Sequence, residues 1–79
     1  MDIGVVSQNT EYGIRPDHVA RAAEERGFES VWFPEHTHIP AKRETPYTLG
    51  GDLPKQYWHF QDLFVSMTAA VMATSRIKV

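Results

Sequence analysis

One stretch decides the fold of this chain: Ser30-Val31-Trp32-Phe33-Pro34-Glu35-His36-Thr37-His38. Its first residues are apolar, β-branched or aromatic, which is typical of a short strand buried on both faces. Pro34 ends the strand because proline cannot donate to a sheet ladder. The chain then presents a carboxylate and two imidazoles within four residues. Because α/β sheets bind ligands at the carboxyl ends of parallel strands, we expect Glu35 and His36 to lie at the edge of an active site.

The residues before this stretch predict a strand and a helix. Residues 2–7 are rich in β-branched side chains and favour a first strand. A helix is expected to begin at Pro16 and to end before Gly27, with Phe28 folded back on its last turn. The expected inward side chains are Val19, Ala22 and Ala23, and the expected outward ones are Arg21, Glu24 and Glu25. Strand, helix and strand then form a βαβ unit with parallel strands.

The second half of the chain predicts a long connection, a helix and the start of a third strand. Residues 37–59 hold three prolines, a Gly-Gly turn and several aromatic side chains. A connection of this length often carries function, although a surface insertion stays open as an alternative. Residues 61–74 predict a helix with the apolar stripe Leu63, Met67, Ala70, Val71 and Thr74. Because residues 77–79 begin a strand that breaks off, we expect residues 1–79 to be the first segment of a larger α/β domain.

Composition excludes several classes of function. The 79 residues have a net charge of −2, and their eight Lys and Arg residues are scattered, which argues against a nucleic-acid surface. The absence of cysteine excludes disulfides and thiolate metal sites. No apolar run approaches the roughly 18 residues of a membrane span, and the first residues do not resemble a signal peptide. We therefore expect a cytoplasmic protein with neither a nucleic-acid nor a membrane partner.

The candidate chemistry lies at the ends of the two strands. An imidazole such as His36 can act as a general acid or base near neutral pH, and the Glu35 carboxylate can position a ring N–H of a ligand. The alternative is a solvated pair at the start of a loop. Ser7, at the end of the first strand, either contacts a ligand at the same edge or caps a turn. We expect Trp32 and Phe33 to be core residues.

A metal site is the second candidate. His36 and His38, two residues apart after a strand, could chelate Zn²⁺ if further ligands came from elsewhere in the protein. Such a pair resembles the His-x-His of the amidohydrolases and would indicate a metal-dependent hydrolase. Because no other cluster of carboxylates and imidazoles completes the set within this chain, we do not assign a metal site.

Three segments together carry a resemblance to a known family. They are Arg-Pro-Asp at 15–17 with the helix that ends in Glu-Glu-Arg-Gly-Phe-Glu-Ser at 24–30, the strand followed by Glu-His at 31–36, and Ala-Thr-Ser-Arg-Ile-Lys-Val at 73–79. The chain resembles the luciferase-like monooxygenases, and most of all their branch that uses the deazaflavin coenzyme F-420. The resemblance implies a TIM-type (β/α)8 barrel, of which this chain would hold two strands, two helices and the start of the third strand.

The resemblance also implies a function. Family members bind F-420 or FMN in the carboxyl mouth of the barrel and transfer hydride between the coenzyme and a small organic substrate. The family's acid–base histidine matches His36, which would contact the coenzyme as well. The acidic residue before it, usually Asp in the F-420 branch, matches Glu35. The complete protein is then expected to be a homo-oligomeric oxidoreductase, and these 79 residues alone are not expected to be active. A non-catalytic fragment is the remaining alternative.

Overall fold

The computed structural model describes residues 2–35 and 59–79. The elements in these ranges are β1 (Gly4–Val6), α1 (Pro16–Glu25), β2 (Ser30–Trp32) and α2 (Leu63–Met72). The expectations for the long connection, and those for His36 and His38, fall on residues 36–58 and lie outside the described residues.

The sheet is parallel, as the βαβ pattern predicts. β1 pairs with β2 so that Val5 lies opposite Val31. On the other side of β2, Lys78 forms a parallel bridge with Ser30, and its carbonyl accepts the N–H of Val31 at 2.9 Å. β2 therefore lies between β1 and the segment expected to begin a third strand. The chain thus forms a small α/β unit in which strands that follow one another in sequence are also neighbours in space.

Within residues 2–35 and 59–79, β2 is covered on one face only, so the expected burial of its second face is not observed in this part of the chain. Successive side chains of a strand point to opposite faces. Val31 is 1% exposed beneath the helices, whereas Trp32 is 64% exposed on the other face. We call the face that carries Gly4, Val6, Ser30 and Trp32 the open face. Phe33 is partly buried and packs against the core, as expected. Among the described residues, Trp32 is not part of the core, because α1 and α2 cover only the Val31 face.

The ends of α1 follow the local sequence. Proline occupies the first turn, and the helix ends at Glu25. Gly27 has φ +80°, the left-handed conformation that costs glycine little. Its N–H donates to the Glu24 carbonyl at 3.1 Å, and the N–H of Phe28 donates to the Ala23 carbonyl at 3.0 Å. These two bonds form a Schellman motif, so the predicted helix end and the fold-back of Phe28 are confirmed.

α2 is shorter than the predicted helix over 61–74. It begins after Asp62, whose carboxylate accepts the N–H of Val65 at 2.9 Å and caps the helix. Its buried residues are the small Ser66 and Ala70, whereas Val71, expected in the apolar stripe, is 55% exposed. Ala70 lies in one core cluster with Ala20 and Ala23 of α1, so the two helices pack through small residues. The buried apolar core consists of Ala20, Ala23, Val31, Ala70 and Ile77.

Glu24 does not point outward as expected. Its carboxylate accepts the backbone N–H groups of three successive residues, Ser75 at 3.0 Å, Arg76 at 2.7 Å and Ile77 at 2.9 Å. The N–H groups of Arg76 and then Ile77 lower the pKa of Glu24 from 4.5 to about 2, since they stabilise the charged form. Glu24 thus joins the end of α1 to the turn before the third segment of the sheet.

Candidate functional site at the carboxyl edge of the sheet

The candidate site lies where β1 and β2 end. Ser7 follows β1, and its N–H donates to the Trp32 carbonyl at 3.0 Å. Glu35 lies three residues beyond Trp32 and is exposed. Because the strands are parallel, Ser7 and Glu35 lie at the same edge, which we call the carboxyl edge. His36 follows Glu35 directly but is outside the described residues.

The hydroxyl of Ser7 participates in a turn. Ser7 is 7% exposed, and its Oγ accepts the N–H of Asn9 at 3.3 Å. The turn-capping alternative is therefore observed. It does not exclude a contact with a ligand, because a hydroxyl that accepts one bond can still donate its hydrogen to another group.

Asn9 is a residue of this edge that the sequence analysis missed. It is 2% exposed and has φ +57°, which is uncommon for a residue other than glycine. Its side-chain Oδ1 accepts the hydroxyl of Ser66 at 2.9 Å, and its Nδ2 donates to the Gln61 carbonyl at 3.3 Å. Its own carbonyl accepts the N–H of Gln61 at 2.8 Å. Asn9 therefore joins the loop after β1 to the start of α2.

A second contact joins the same two segments. Thr10 and Phe60 form an antiparallel bridge, and beside it the carboxylate of Glu11 contacts Nδ1 of His59. The ring of Tyr12 meets His59 edge-on, with 5.1 Å between the ring centroids. Loss of solvation and then the neighbouring Glu11 carboxylate raise the pKa of Tyr12. A sequence pattern could not identify the contact between Glu11 and His59, because these residues are 48 positions apart.

A groove of about 500 Å³ opens between the starts of the two helices. Its lining residues are Arg15, Pro16, Asp17, Gln61, Asp62, Val65, Ser66 and Ala69. Arg15 and Asp17 form an ion pair at 3.0 Å. Loss of solvation acts to raise the pKa of Asp17, but the charges of Arg15 and then His18 outweigh it and lower this pKa. Because Asp62 also caps α2, the three charged side chains of the groove already have partners within the protein.

The open face presents a flat apolar surface near the carboxyl edge. Val6 is 68% and Trp32 64% exposed, and they are opposite one another in the sheet register. The indole Nε1 of Trp32 donates to Oγ of Ser30 at 2.9 Å, so the ring lies back over Gly4. A Cβ at Gly4 would be 2.9 Å from Nε1, which leaves no room for a side chain.

Within residues 2–35 and 59–79, no group of three His, Cys, Asp or Glu side chains is arranged to hold a metal ion. This finding does not test the pair His36 and His38. No helix in the same ranges is long and apolar enough to cross a bilayer.

Comparisons with known proteins were made for the whole chain. The sequence model of the luciferase-like monooxygenases matches residues 15–79. The chain is 43% identical over 81 aligned positions to the uncharacterized protein Rv0953c of Mycobacterium tuberculosis and to the uncharacterized protein Mb0978c of Mycobacterium bovis. Each alignment covers 99% of this chain and 29% of the relative, so the chain spans less than a third of their length. No solved structure matches.

Proposed function

Because this chain belongs to the luciferase-like monooxygenase family, we propose that it forms the first part of a flavin-type oxidoreductase and one edge of its coenzyme site. The main support is the family match over residues 15–79, taken together with the position of Ser7 and Glu35 at one carboxyl edge. The proposed whole is a (β/α)8 barrel in which residues 1–79 supply the first two βα units and the start of the third strand. The much greater length of the relatives agrees with this proposal.

The proposed coenzyme is F-420 or FMN, both of which have a planar ring system with polar edges. The exposed indole of Trp32 and the side chain of Val6 offer apolar surface to such a ring. Ser7 would donate its hydroxyl hydrogen to a ring acceptor, and the Glu35 carboxylate would accept a ring N–H. These contacts are proposed for a coenzyme of either kind, and the described residues do not favour one of the two over the other.

The proposed reaction is hydride transfer between the coenzyme and a small organic substrate. When bound, the coenzyme supplies the hydride chemistry, and the protein orients the reactants. His36 would give or take a proton at the substrate, or stabilise the charge that develops there, because histidine changes its protonation state near neutral pH. Glu35 would hold the coenzyme ring in a fixed position relative to His36. We propose that residues 37–59 influence which substrate is accepted.

We also propose that the complete protein is a homo-oligomer. α2 is apolar on most of its surface, and a helix of this kind is usually covered on all sides. In the described residues, its outer side chains are exposed, among them Phe64, Val65 and Met72. The later part of the barrel or a second copy of the protein would cover them. Light scattering on the complete protein measures the number of copies directly.

The test of the proposed function is a binding titration of the complete protein with F-420 and FMN separately. We expect one of them to bind with one equivalent per chain, detected by quenching of protein fluorescence. Ser7→Ala and Glu35→Gln should each weaken binding roughly tenfold, as expected for the loss of one hydrogen bond to a partly desolvated group.

The matched control is Glu25→Gln, because Glu25 is an exposed side chain at the end of α1, opposite to the carboxyl edge. This variant should bind like the wild type. If the wild type binds neither coenzyme and holds one Zn²⁺ per chain by elemental analysis, the proposal is wrong and the hydrolase alternative based on His36 and His38 is favoured.

A further inference from the structure

The loop after β1 is fixed at one point. Asn9 is almost completely buried, and its backbone has the left-handed conformation. An asparagine pays a conformational cost there that glycine would not. Its side chain is engaged at both ends, by the hydroxyl of Ser66 and by the carbonyl of Gln61. These bonds favour the left-handed backbone, because the carboxamide reaches both partners from this conformation.

Asn9 also sets the orientation of the Ser7 hydroxyl. The backbone N–H of Asn9 donates to Oγ of Ser7 at 3.3 Å. This bond uses a lone pair of the hydroxyl, so the hydrogen of Ser7 points away from the N–H of Asn9. The direction of that hydrogen depends on the backbone of Asn9, and this backbone is in turn held by contacts to α2.

We infer that Asn9 is a positioning residue of the coenzyme site, which sets Ser7 as a hydrogen-bond donor through a link to Ser66 and Gln61. The inference rests on the proposed function, since Ser7 needs a ligand toward which it can donate. It assigns a role in coenzyme affinity to four residues, of which only Ser7 lies at the end of a strand. Asn9 acts through Ser7 and is not placed in contact with the coenzyme.

The experiment compares coenzyme affinity in four forms of the complete protein: the wild type, Asn9→Gly, Ser7→Ala and the double variant Ser7→Ala/Asn9→Gly. Glycine adopts the left-handed backbone without strain but lacks the carboxamide, so Asn9→Gly removes the side-chain part of the link and keeps the turn accessible. We expect roughly tenfold weaker binding of F-420 or FMN, whichever the wild type binds. The double variant should bind about as weakly as Ser7→Ala alone, because both changes remove the same interaction.

A stability control separates positioning from folding. Glu24→Gln removes the charge from a long-range contact between α1 and the turn at Ser75, away from the carboxyl edge. It is expected to lower the urea midpoint while leaving coenzyme affinity within about twofold of the wild type. Ser66→Ala removes the hydroxyl that donates to Oδ1 of Asn9, so it weakens the same link. It should weaken coenzyme binding as Asn9→Gly does, but by a smaller factor.

The outcomes are distinct. A tenfold loss in Asn9→Gly that disappears in the Ser7→Ala background, with Glu24→Gln unaffected, supports the inference. Unchanged affinity in Asn9→Gly and Ser66→Ala overturns it, and so do effects of Asn9→Gly and Ser7→Ala that simply multiply in the double variant. If Glu24→Gln loses as much affinity as Asn9→Gly, the role of Asn9 is structural only. A wild type that binds neither coenzyme overturns the proposed function itself.

Discussion

The carboxylate of Glu24 accepts the backbone N–H of Arg76 at 2.7 Å, across 52 positions of sequence. In return, the guanidinium of Arg76 donates to the Glu24 carbonyl at 2.6 Å. The carboxylate thus satisfies backbone donors of the turn after α2, and the guanidinium satisfies a carbonyl at the end of α1. The two contacts fix the turn from which the third segment of the sheet enters, at the end of the unit opposite to the carboxyl edge.

Glu24→Gln is expected to lower stability at neutral pH and to have less effect in acid. The folded pKa of Glu24 is about 2 and the ordinary value is 4.5, so folding favours the charged carboxylate. This contribution is fully present above 4.5 and is lost as the pH falls toward about 2. Urea unfolding of the complete protein should show a difference in midpoint between wild type and variant. This difference should disappear as the pH falls from 4.5 to about 2.

The control for this prediction is Glu25→Gln, because Glu25 is the exposed neighbour of Glu24 in the same helix. Both variants remove one negative charge from α1, so a general charge effect would appear in both. We expect a midpoint gap only for Glu24→Gln. Equal gaps, or a gap that stays constant in acid, would show that the contacts to residues 75–77 do not stabilise the protein.

The Asp62 cap gives a second prediction. Asp62→Ala removes the acceptor of the Val65 N–H and is expected to cost about 1 kcal/mol of unfolding free energy, as for other lost caps. Asp62→Asn keeps an acceptor oxygen at the same place and should recover most of the loss. Chemical denaturation of the three forms at one pH measures both differences. If the alanine variant is as stable as the wild type, the hydrogen bond from the Val65 N–H to Asp62 does not stabilise the protein in solution.

The local features of the fold could be predicted from the sequence. Gly27 and Phe28 end α1 through bonds within six residues of chain, and such motifs depend only on nearby residue types. The parallel pairing also followed from order and length alone, because a strand, a helix and a strand leave little choice of connection. For the same reason, the positions of Ser7 and Glu35 at one edge of the sheet could be derived.

The contacts between distant positions could not be derived in this way. Nothing in the residues near Asn9 indicates that its partners are Gln61 and Ser66, and the partners of Glu24 are likewise about fifty positions away. The exposure of Trp32 depends on what covers the second face of the sheet, which a strand pattern does not contain. A run of apolar residues predicts a strand but does not indicate how many of its faces are covered.

A third prediction concerns the open face. Gly4→Ala would bring a Cβ within 2.5 Å of Oγ of Ser30 and 2.9 Å of Nε1 of Trp32, so both side chains must move and the bond between them is disturbed. We expect a loss of about 1–3 kcal/mol in stability and a shift in tryptophan emission. Gly13→Ala is the matched control, since a Cβ there has no neighbour closer than 3.7 Å and should be tolerated. An unchanged emission spectrum in Gly4→Ala would contradict the observed position of the indole.

The last prediction tests the role of His36 in the proposed reaction. His36→Asn keeps a hydrogen-bonding side chain of similar size but cannot transfer a proton near neutral pH. In the complete protein we expect kcat to fall by roughly 10²- to 10⁴-fold, the usual contribution of a general acid or base, with a much smaller change in coenzyme affinity. The pH profile of kcat/KM should lose its limb between about pH 5 and 8, where histidine titrates. Glu35→Gln should instead weaken coenzyme binding and keep that limb. If His36→Asn turned over substrate at the wild-type rate, His36 would have no catalytic role, and the acid–base group would have to come from another part of the protein.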